Sequence, residues 1–168
     1  MRRPGGGRVK VGPVSFYDWM LALHLLAAFS IAAALVLYSV LVVAGRRMDS
    51  LEQTRVLFRV APIGGPLIGA GMVLVIVLGI VLAIDSDDFQ VWDVWVIAAI
   101  VLWAILGEVG RRSGEYYTAT QKLAERGGDG VEGEVLARLR APTGARLHYA
   151  TVVVFLLLLL DMIFKPWA

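Results

Sequence analysis

Four titratable side chains stand out in this sequence of 168 residues, because they lie within or at the edge of long apolar stretches. They are His24, Glu108, His148 and Asp161. A titratable group inside a membrane-like apolar segment is costly to bury, so each is a functional hypothesis by default. Imidazole and carboxylate groups can relay protons, and imidazole also binds haem iron or copper. These residue types therefore allow proton or ion conduction and metal or haem binding. They can also pair with one another in a purely structural role.

The apolar stretches that carry these side chains predict transmembrane helices. The sequence is 58% hydrophobic and only 18% charged, against about 45–50% and about 25% in soluble domains. A helix needs about 20 apolar residues to cross a bilayer, and the first stretch is also longer than the apolar core of a signal peptide. We therefore predict an all-α fold, an up-down bundle of four transmembrane helices with spans at about 16–44, 62–84, 91–109 and 146–164.

The segments outside the spans divide into a tail and polar connections. Residues 1–14 are rich in Gly and Arg, a composition that predicts a disordered tail. We predict that residues 15–168 form a single domain. The acidic turn at 85–88 is too short for a calcium loop, which spreads its ligands over about 12 residues, and we predict no metal there. A Gly-rich flexible break is predicted at 127–130. Apolar residues at helical spacing predict short amphipathic surface helices within 45–61 and at about 131–140, and a further short helix is predicted at about 114–126.

The distribution of basic residues predicts the orientation of the bundle. Four spans put both termini on one side of the membrane. Eleven of the 16 Lys and Arg residues lie on the opposite side, in the connections after the first and third spans. Because cytoplasmic loops carry an excess of Lys and Arg, we predict a bacterial plasma-membrane protein with cytoplasmic loops and both termini outside.

The depths of the four titratable side chains predict two pairs. Counted at about 1.5 Å per residue, His24 lies roughly 12 Å and Asp161 roughly 9 Å below the outer edge of the membrane. These two side chains can meet if the first and fourth spans are neighbours. Glu108 and His148 both lie near the cytoplasmic ends of their spans and can also pair. The pairs His24–Asp161 and Glu108–His148 would suit a proton or ion conductor.

Three of the four titratable residues also have a structural explanation, whereas Asp161 follows a run of leucines and has no local cation before Lys165. His24 can form a buried hydrogen bond to Asp161 or to a backbone carbonyl. Glu108 can pair with a flanking arginine, and His148 can lie among the lipid headgroups. The two histidines do not suit one shared haem, because their depths differ by roughly 15 Å. Haem b or copper held by His24 alone is the remaining cofactor hypothesis.

Small residues and the motif content favour a non-enzymatic membrane protein. Gly65, Gly69 and Gly79 lie on one stripe of the second span, and such residues let another helix approach closely in lipid. The sequence contains no Cys, which excludes disulfides and thiolate chemistry. It also lacks the common hydrolase, zinc-protease, phosphate-loop and dinucleotide signatures and any recognised nucleic-acid motif. We therefore expect an accessory or interaction subunit in the lipid bilayer, with a membrane-protein partner or a second copy and no nucleic acid.

The beginning of the first span carries a family resemblance. Trp19-Met-Leu-Ala-Leu-His24 resembles the W-x-x-x-L-H pattern of bacterial four-span membrane proteins. These include the copper-resistance CopD-like group, the HemJ-like protoporphyrinogen oxidases and a family of predicted integral membrane proteins of unknown function. The similarity extends to the Gly-rich second span and the late histidine. Resemblance to HemJ-like proteins implies haem at His24, whereas the closest resemblance, to the family of unknown function, implies the fold and no activity.

Overall fold

The computed structural model describes residues 14–86, 90–128 and 130–165. The predicted disordered tail, apart from Val14, lies outside these residues, as do parts of the acidic turn and of the Gly-rich break. A single turn of 3₁₀ helix at Ala61–Ile63 leads from the second helix into the third. The α-helices of the described residues are α1 (Phe16–Gly45), α2 (Leu51–Val60), α3 (Gly64–Asp85), α4 (Val94–Arg126), α5 (Val131–Arg140) and α6 (Pro142–Phe164).

Four of the described helices, α1, α3, α4 and α6, are long and apolar enough to cross a membrane. The predicted all-α four-helix bundle is confirmed. Between 22% and 28% of the residues in the most apolar window of each span are buried inside the protein. Most of this apolar surface therefore faces outward, which is stable in lipid and costly in water.

Local sequence signals determine where the spanning helices begin. At α1, the Ser15 hydroxyl accepts a hydrogen bond from the Asp18 amide at 3.2 Å, and the Asp18 carboxylate accepts one from the Ser15 amide at 2.9 Å. This reciprocal cap satisfies two amides that would otherwise lack a partner. At α6, Pro142 occupies the first turn, where its missing N–H removes nothing. Pro62, predicted to begin the second span, lies in the 3₁₀ turn just before α3.

The helix α4 differs from the prediction, because it continues through 110–126 as one element instead of ending near residue 109. Ion pairs at helical spacing cross the predicted boundary: Glu108 contacts Arg111 at 2.9 Å and Arg112 at 2.7 Å, and Arg111 also contacts Glu115. Such i,i+3 and i,i+4 pairs support a helix locally. The segment predicted as a separate short helix at 114–126 is therefore the end of α4, projecting beyond the apolar part.

The spanning helices pack as two pairs. The most extensive contacts join α1 to α3 and α4 to α6, with smaller contacts between α1 and α6 and between α3 and α4. The Trp103 indole N–H donates to the Met72 carbonyl at 2.9 Å and links α4 to α3. Buried apolar side chains from three helices form the core between the pairs: Ile31, Leu35, Ala99, Leu106, Phe155 and Leu158.

Glycines of α3 allow α1 to approach closely, but they are only partly the predicted ones. A Cβ built on Gly71 would lie 2.6 Å from the Ile31 side chain, and one on Gly64 would lie 2.7 Å from the Tyr38 ring. Gly79, which was predicted, lies against His24. Gly69 has open space at the Cβ position, and Gly65 has only the Tyr38 hydroxyl at 4.0 Å. The close approach predicted at Gly65 and Gly69 therefore lies at Gly64 and Gly71.

A small helical layer, which we call the cap, covers one end of the bundle. It consists of α2, α5 and residues 114–126 of α4. Its core is formed by Phe58, Ala124, Val135 and Leu139, and the Arg55 guanidinium donates to the Ala124 carbonyl at 2.9 and 3.0 Å. The apolar side of α5 was predicted to lie on the membrane surface. It packs on α2 and α4 instead, because the protein itself offers a complementary apolar face.

Candidate functional site

His24 lies between α1 and α3. A Cβ at Gly79 would stand 3.2 Å from the imidazole Cε1, so the ring rests on the glycine backbone. The ring lies beside the Val75 carbonyl, and its Nδ1 is buried without a hydrogen-bond partner among the described residues. The predicted hydrogen bond from His24 to a backbone carbonyl is therefore not formed at Nδ1.

Asp161 and His24 are not joined by a hydrogen bond or ion pair. Asp161 lies on α6 and is 8% exposed, and its Oδ2 is buried without a hydrogen-bond partner in the described part of the chain. The pairing in the bundle explains the separation: α1 packs chiefly on α3 and α6 chiefly on α4. The similar depths that predicted a pair are not sufficient for contact.

Glu108 and His148 also have other partners. The Glu108 carboxylate, with 45% of its side chain exposed, accepts hydrogen bonds from Arg111 and Arg112. This is the flanking-arginine arrangement that the sequence offered as the structural alternative. His148 is only 3% exposed, and its Nε2 lies 2.8 Å from the Ser39 hydroxyl of α1. His148 is therefore a buried residue between helices and does not lie among lipid headgroups.

The cofactor hypotheses at His24, haem b or copper, stay predictions. The Cε1 side of the ring packs against the Gly79 backbone. Copper prefers several imidazole or thioether ligands. Among the described residues, no three His, Cys, Asp or Glu side chains come together to hold a metal ion.

A cavity of about 470 Å³ lies where the spans meet the cap. We call it the junction cavity. This volume is within the usual range of about 300–1,000 Å³ for small-molecule sites. Its wall is mostly apolar and includes residues of all six helices and the 3₁₀ turn, but no Lys, Arg, Asp or Glu of the described chain. The polar members of the wall are Tyr38, Ser113, Tyr117, Thr118, Gln121, His148 and Thr151.

The hydrogen bond between Ser39 and His148 determines which imidazole nitrogen is free. The Ser39 hydroxyl has a single proton, which it donates to the Leu35 carbonyl at 2.8 Å. Ser39 can then only accept from His148, so we assign the imidazole proton to Nε2. Nδ1 keeps a lone pair and can accept a hydrogen bond. His148 is thus a neutral acceptor whose orientation is fixed from α1.

Two hydroxyl groups of α4 complement this acceptor. Ser113 and Tyr117 lie one helical turn apart on the cavity wall, and neither hydroxyl has a hydrogen-bond partner within the described protein. In contrast, Tyr38 donates to the Ala61 carbonyl and Thr151 to the Leu147 carbonyl. The wall of the junction cavity therefore combines hydroxyl-bearing residues of α4 with a fixed acceptor on α6, all uncharged.

The exposed residues of the wall show where the junction cavity opens. Pro62 and Gly65 lie on one side and Gly114 and Thr118 on the other, and all four are exposed. A Cβ at Gly114 would meet nothing within 4 Å. The opening therefore lies between the beginning of α3 and the extension of α4, near the predicted membrane surface, where a molecule can enter from the lipid.

Sequence reasoning missed most of this site. It identified His148 but not its partner Ser39, nor the hydroxyl groups of Ser113 and Tyr117. The available signal was weak: Ser39 is a polar residue within an apolar span, and Ser113 and Tyr117 lie at i,i+4 spacing in a segment that reads as a polar connection. No protein family, curated protein or solved structure matches this chain, so the chemistry of the site is argued from its own residues.

Proposed function

We propose that this protein is a non-enzymatic accessory or binding subunit of the bacterial plasma membrane, which holds a neutral, lipid-soluble molecule in the junction cavity. The observation that carries the proposal is the combination of an apolar wall with His148, fixed by Ser39, and the free hydroxyl groups of Ser113 and Tyr117. Ligand pockets typically combine apolar walls with a few well-placed polar groups.

The chemistry of the wall selects the ligand class. An ionised ligand would leave its charge unpaired among apolar side chains, which is strongly unfavourable. A carbonyl group can accept from Ser113 or Tyr117, and a hydroxyl group can donate to His148 Nδ1. A head with carbonyl or hydroxyl groups on an apolar tail meets both requirements. Lipid-soluble quinones and quinols belong to this class, and their tails can extend through the opening between α3 and α4.

The proposed orientation places the cap and the junction cavity on the cytoplasmic side. Its support is the excess of basic residues in the connections. Protease added to inside-out vesicles should cut at the Gly-rich break, 127–130, whereas protease added to intact spheroplasts should not. Cleavage in spheroplasts alone would reverse the orientation without affecting the cavity.

Ligand binding is tested with a decyl-tailed benzoquinone on the protein in lipid nanodiscs. The measurement is the amount of quinone that is retained per protein, above that in empty nanodiscs. We expect saturable binding that weakens about fivefold in Ser113→Ala and in Tyr117→Phe, because each removes a hydrogen bond worth about 1 kcal/mol. Tyr17→Phe, at the opposite end of α1, is the matched control and should bind as the wild type.

Two results would count against the proposal. Quinone binding of equal strength in all three variants would place the ligand elsewhere. Retention no higher than in empty nanodiscs, for both the quinone and a decyl alcohol, would exclude a cavity that takes this class of ligand.

A further inference from the structure

A second concave surface lies on the lipid-facing side of the contact between α1 and α6. It is a groove of about 540 Å³ at the end of the bundle that carries the cap. We call it the arginine groove. The groove is formed by Val43 of α1, by Arg46 and Arg47 directly after α1, and by Pro142, Arg146 and Tyr149 of α6. Its wall contains three guanidinium groups and no carboxylate of the described chain.

The charge of this groove is not neutralised by the protein. Arg46 donates to the Ala141 carbonyl at 3.3 Å, which holds it across the gap between α1 and α6. Arg47 and Arg146 make no hydrogen bond or ion pair with any residue that the structure describes. Four arginines of α4 and α5, by contrast, are paired with carboxylates: Arg111, Arg112, Arg138 and Arg140. Guanidinium groups present several N–H donors in a geometry that suits phosphate.

The groove has a charged rim and an apolar floor. On α1, Val43 lies one helical turn deeper in the bundle than Arg46 and Arg47. On α6, Tyr149 lies one turn deeper than Arg146. Val43 and Tyr149 are both exposed on the lipid-facing side, with 41% and 48% of their surface accessible. A turn is about 5.4 Å, so a phosphate at the rim would place attached acyl chains directly against these two side chains.

We propose that the arginine groove binds the phosphate of an anionic phospholipid, with the acyl chains along Val43 and Tyr149. Basic pockets between spanning helices are favourable sites for anionic headgroups. The phosphate could also come from solution, but the apolar floor favours the lipid. This inference is independent of the ligand in the junction cavity.

The test compares two double variants that remove the same charge. In Arg47→Gln/Arg146→Gln, two groove arginines lose their charge. In Arg59→Gln/Arg126→Gln, two exposed cap arginines outside the groove lose theirs. Each protein is placed in nanodiscs of phosphatidylcholine with a minor fraction of phosphatidylglycerol, released gently, and examined by native mass spectrometry for bound lipid. Thermal unfolding in detergent verifies that both variants fold.

We expect the wild type to retain phosphatidylglycerol in preference to phosphatidylcholine. The groove variant should lose this preference by about 30-fold, since two interfacial arginines together contribute about 2 kcal/mol to anionic-lipid attraction. The cap variant should change less than about twofold, and 50 mM inorganic phosphate should not displace the lipid. An equal loss in both double variants would refute a specific site, and displacement of the lipid by low millimolar phosphate would refute the lipid assignment.

Discussion

Replacing Gly71 by alanine tests whether α1 and α3 pack as closely as their geometry indicates. A Cβ at this position would lie 2.6 Å from Ile31 Cγ1, 2.6 Å from Ser30 Oγ and 3.0 Å from the Ala27 carbonyl oxygen. The two side chains can rotate, but the Ala27 carbonyl belongs to the backbone of α1. The helices must therefore separate locally, and the packing around Ile31 at the centre of the bundle must loosen.

The magnitude follows from two opposing terms. Forcing extra atoms into a packed interior costs about 1–3 kcal/mol, whereas alanine is a better helix former than glycine by up to about 1 kcal/mol. Gly69→Ala is the matched control, because Gly69 lies in the same helix with open space at the Cβ position. At Gly69 only the higher helix propensity of alanine acts. The free energies of unfolding of the two variants should therefore differ by about 2 kcal/mol, or about 4–8 °C in Tm at this chain length.

Thermal unfolding of both variants in the same mild detergent, followed by circular dichroism, measures this difference. Gly71→Ala should unfold below the wild type, and Gly69→Ala at or slightly above it. If Gly71→Ala were as stable as Gly69→Ala, the backbones of α1 and α3 could not be in close contact at Gly71, and the arrangement of the bundle in two tight pairs would be wrong.

Three further substitutions test single contacts. Ser39→Ala should lower the free energy of unfolding by about 1–2 kcal/mol, because buried His148 loses its partner; unchanged unfolding in detergent would exclude this hydrogen bond. Arg55→Ala should speed tryptic cleavage near the Gly-rich break about fivefold, since the end of α4 loses two hydrogen bonds, whereas Arg59→Ala, on the exposed side of α2, should not. Asp161→Leu should raise the free energy of unfolding by about 1 kcal/mol, because a buried oxygen without a partner is removed; a fall instead would show that the carboxylate has a partner.

The sequence predicted the spans because their signal is local. Length and apolarity alone identify α1, α3 and α6, and the Ser15–Asp18 cap marks the beginning of α1. The failure at α4 has an equally local cause. The charged residues Glu108, Arg111 and Arg112 end the apolar span, but their ion pairs cross this boundary and keep the helix continuous.

The candidate site depends on information that a single helix does not contain. Depth can be counted along the chain at about 1.5 Å per residue, which correctly put His148 near the end that carries the cap. Contact also requires the direction of each side chain around its helix and the identity of the neighbouring helix. His24 and Asp161 have similar depths but lie in different helix pairs, whereas His148 meets Ser39 because both point into the contact between α1 and α6.

The contact between α1 and α6 connects the two proposed sites. It is less extensive than the contacts within either helix pair, so polar links contribute a larger share of its stability. Two such links cross it: Ser39 to His148, on the side of the junction cavity, and Arg46 to the Ala141 carbonyl, at the rim of the arginine groove. His148 lines the junction cavity, and the adjacent Tyr149 lines the arginine groove. Their rings lie 5.6 Å apart in an edge-to-face arrangement. A molecule in either site therefore contacts both sides of the α1–α6 contact and stabilises a contact that the bundle packs less extensively than either helix pair.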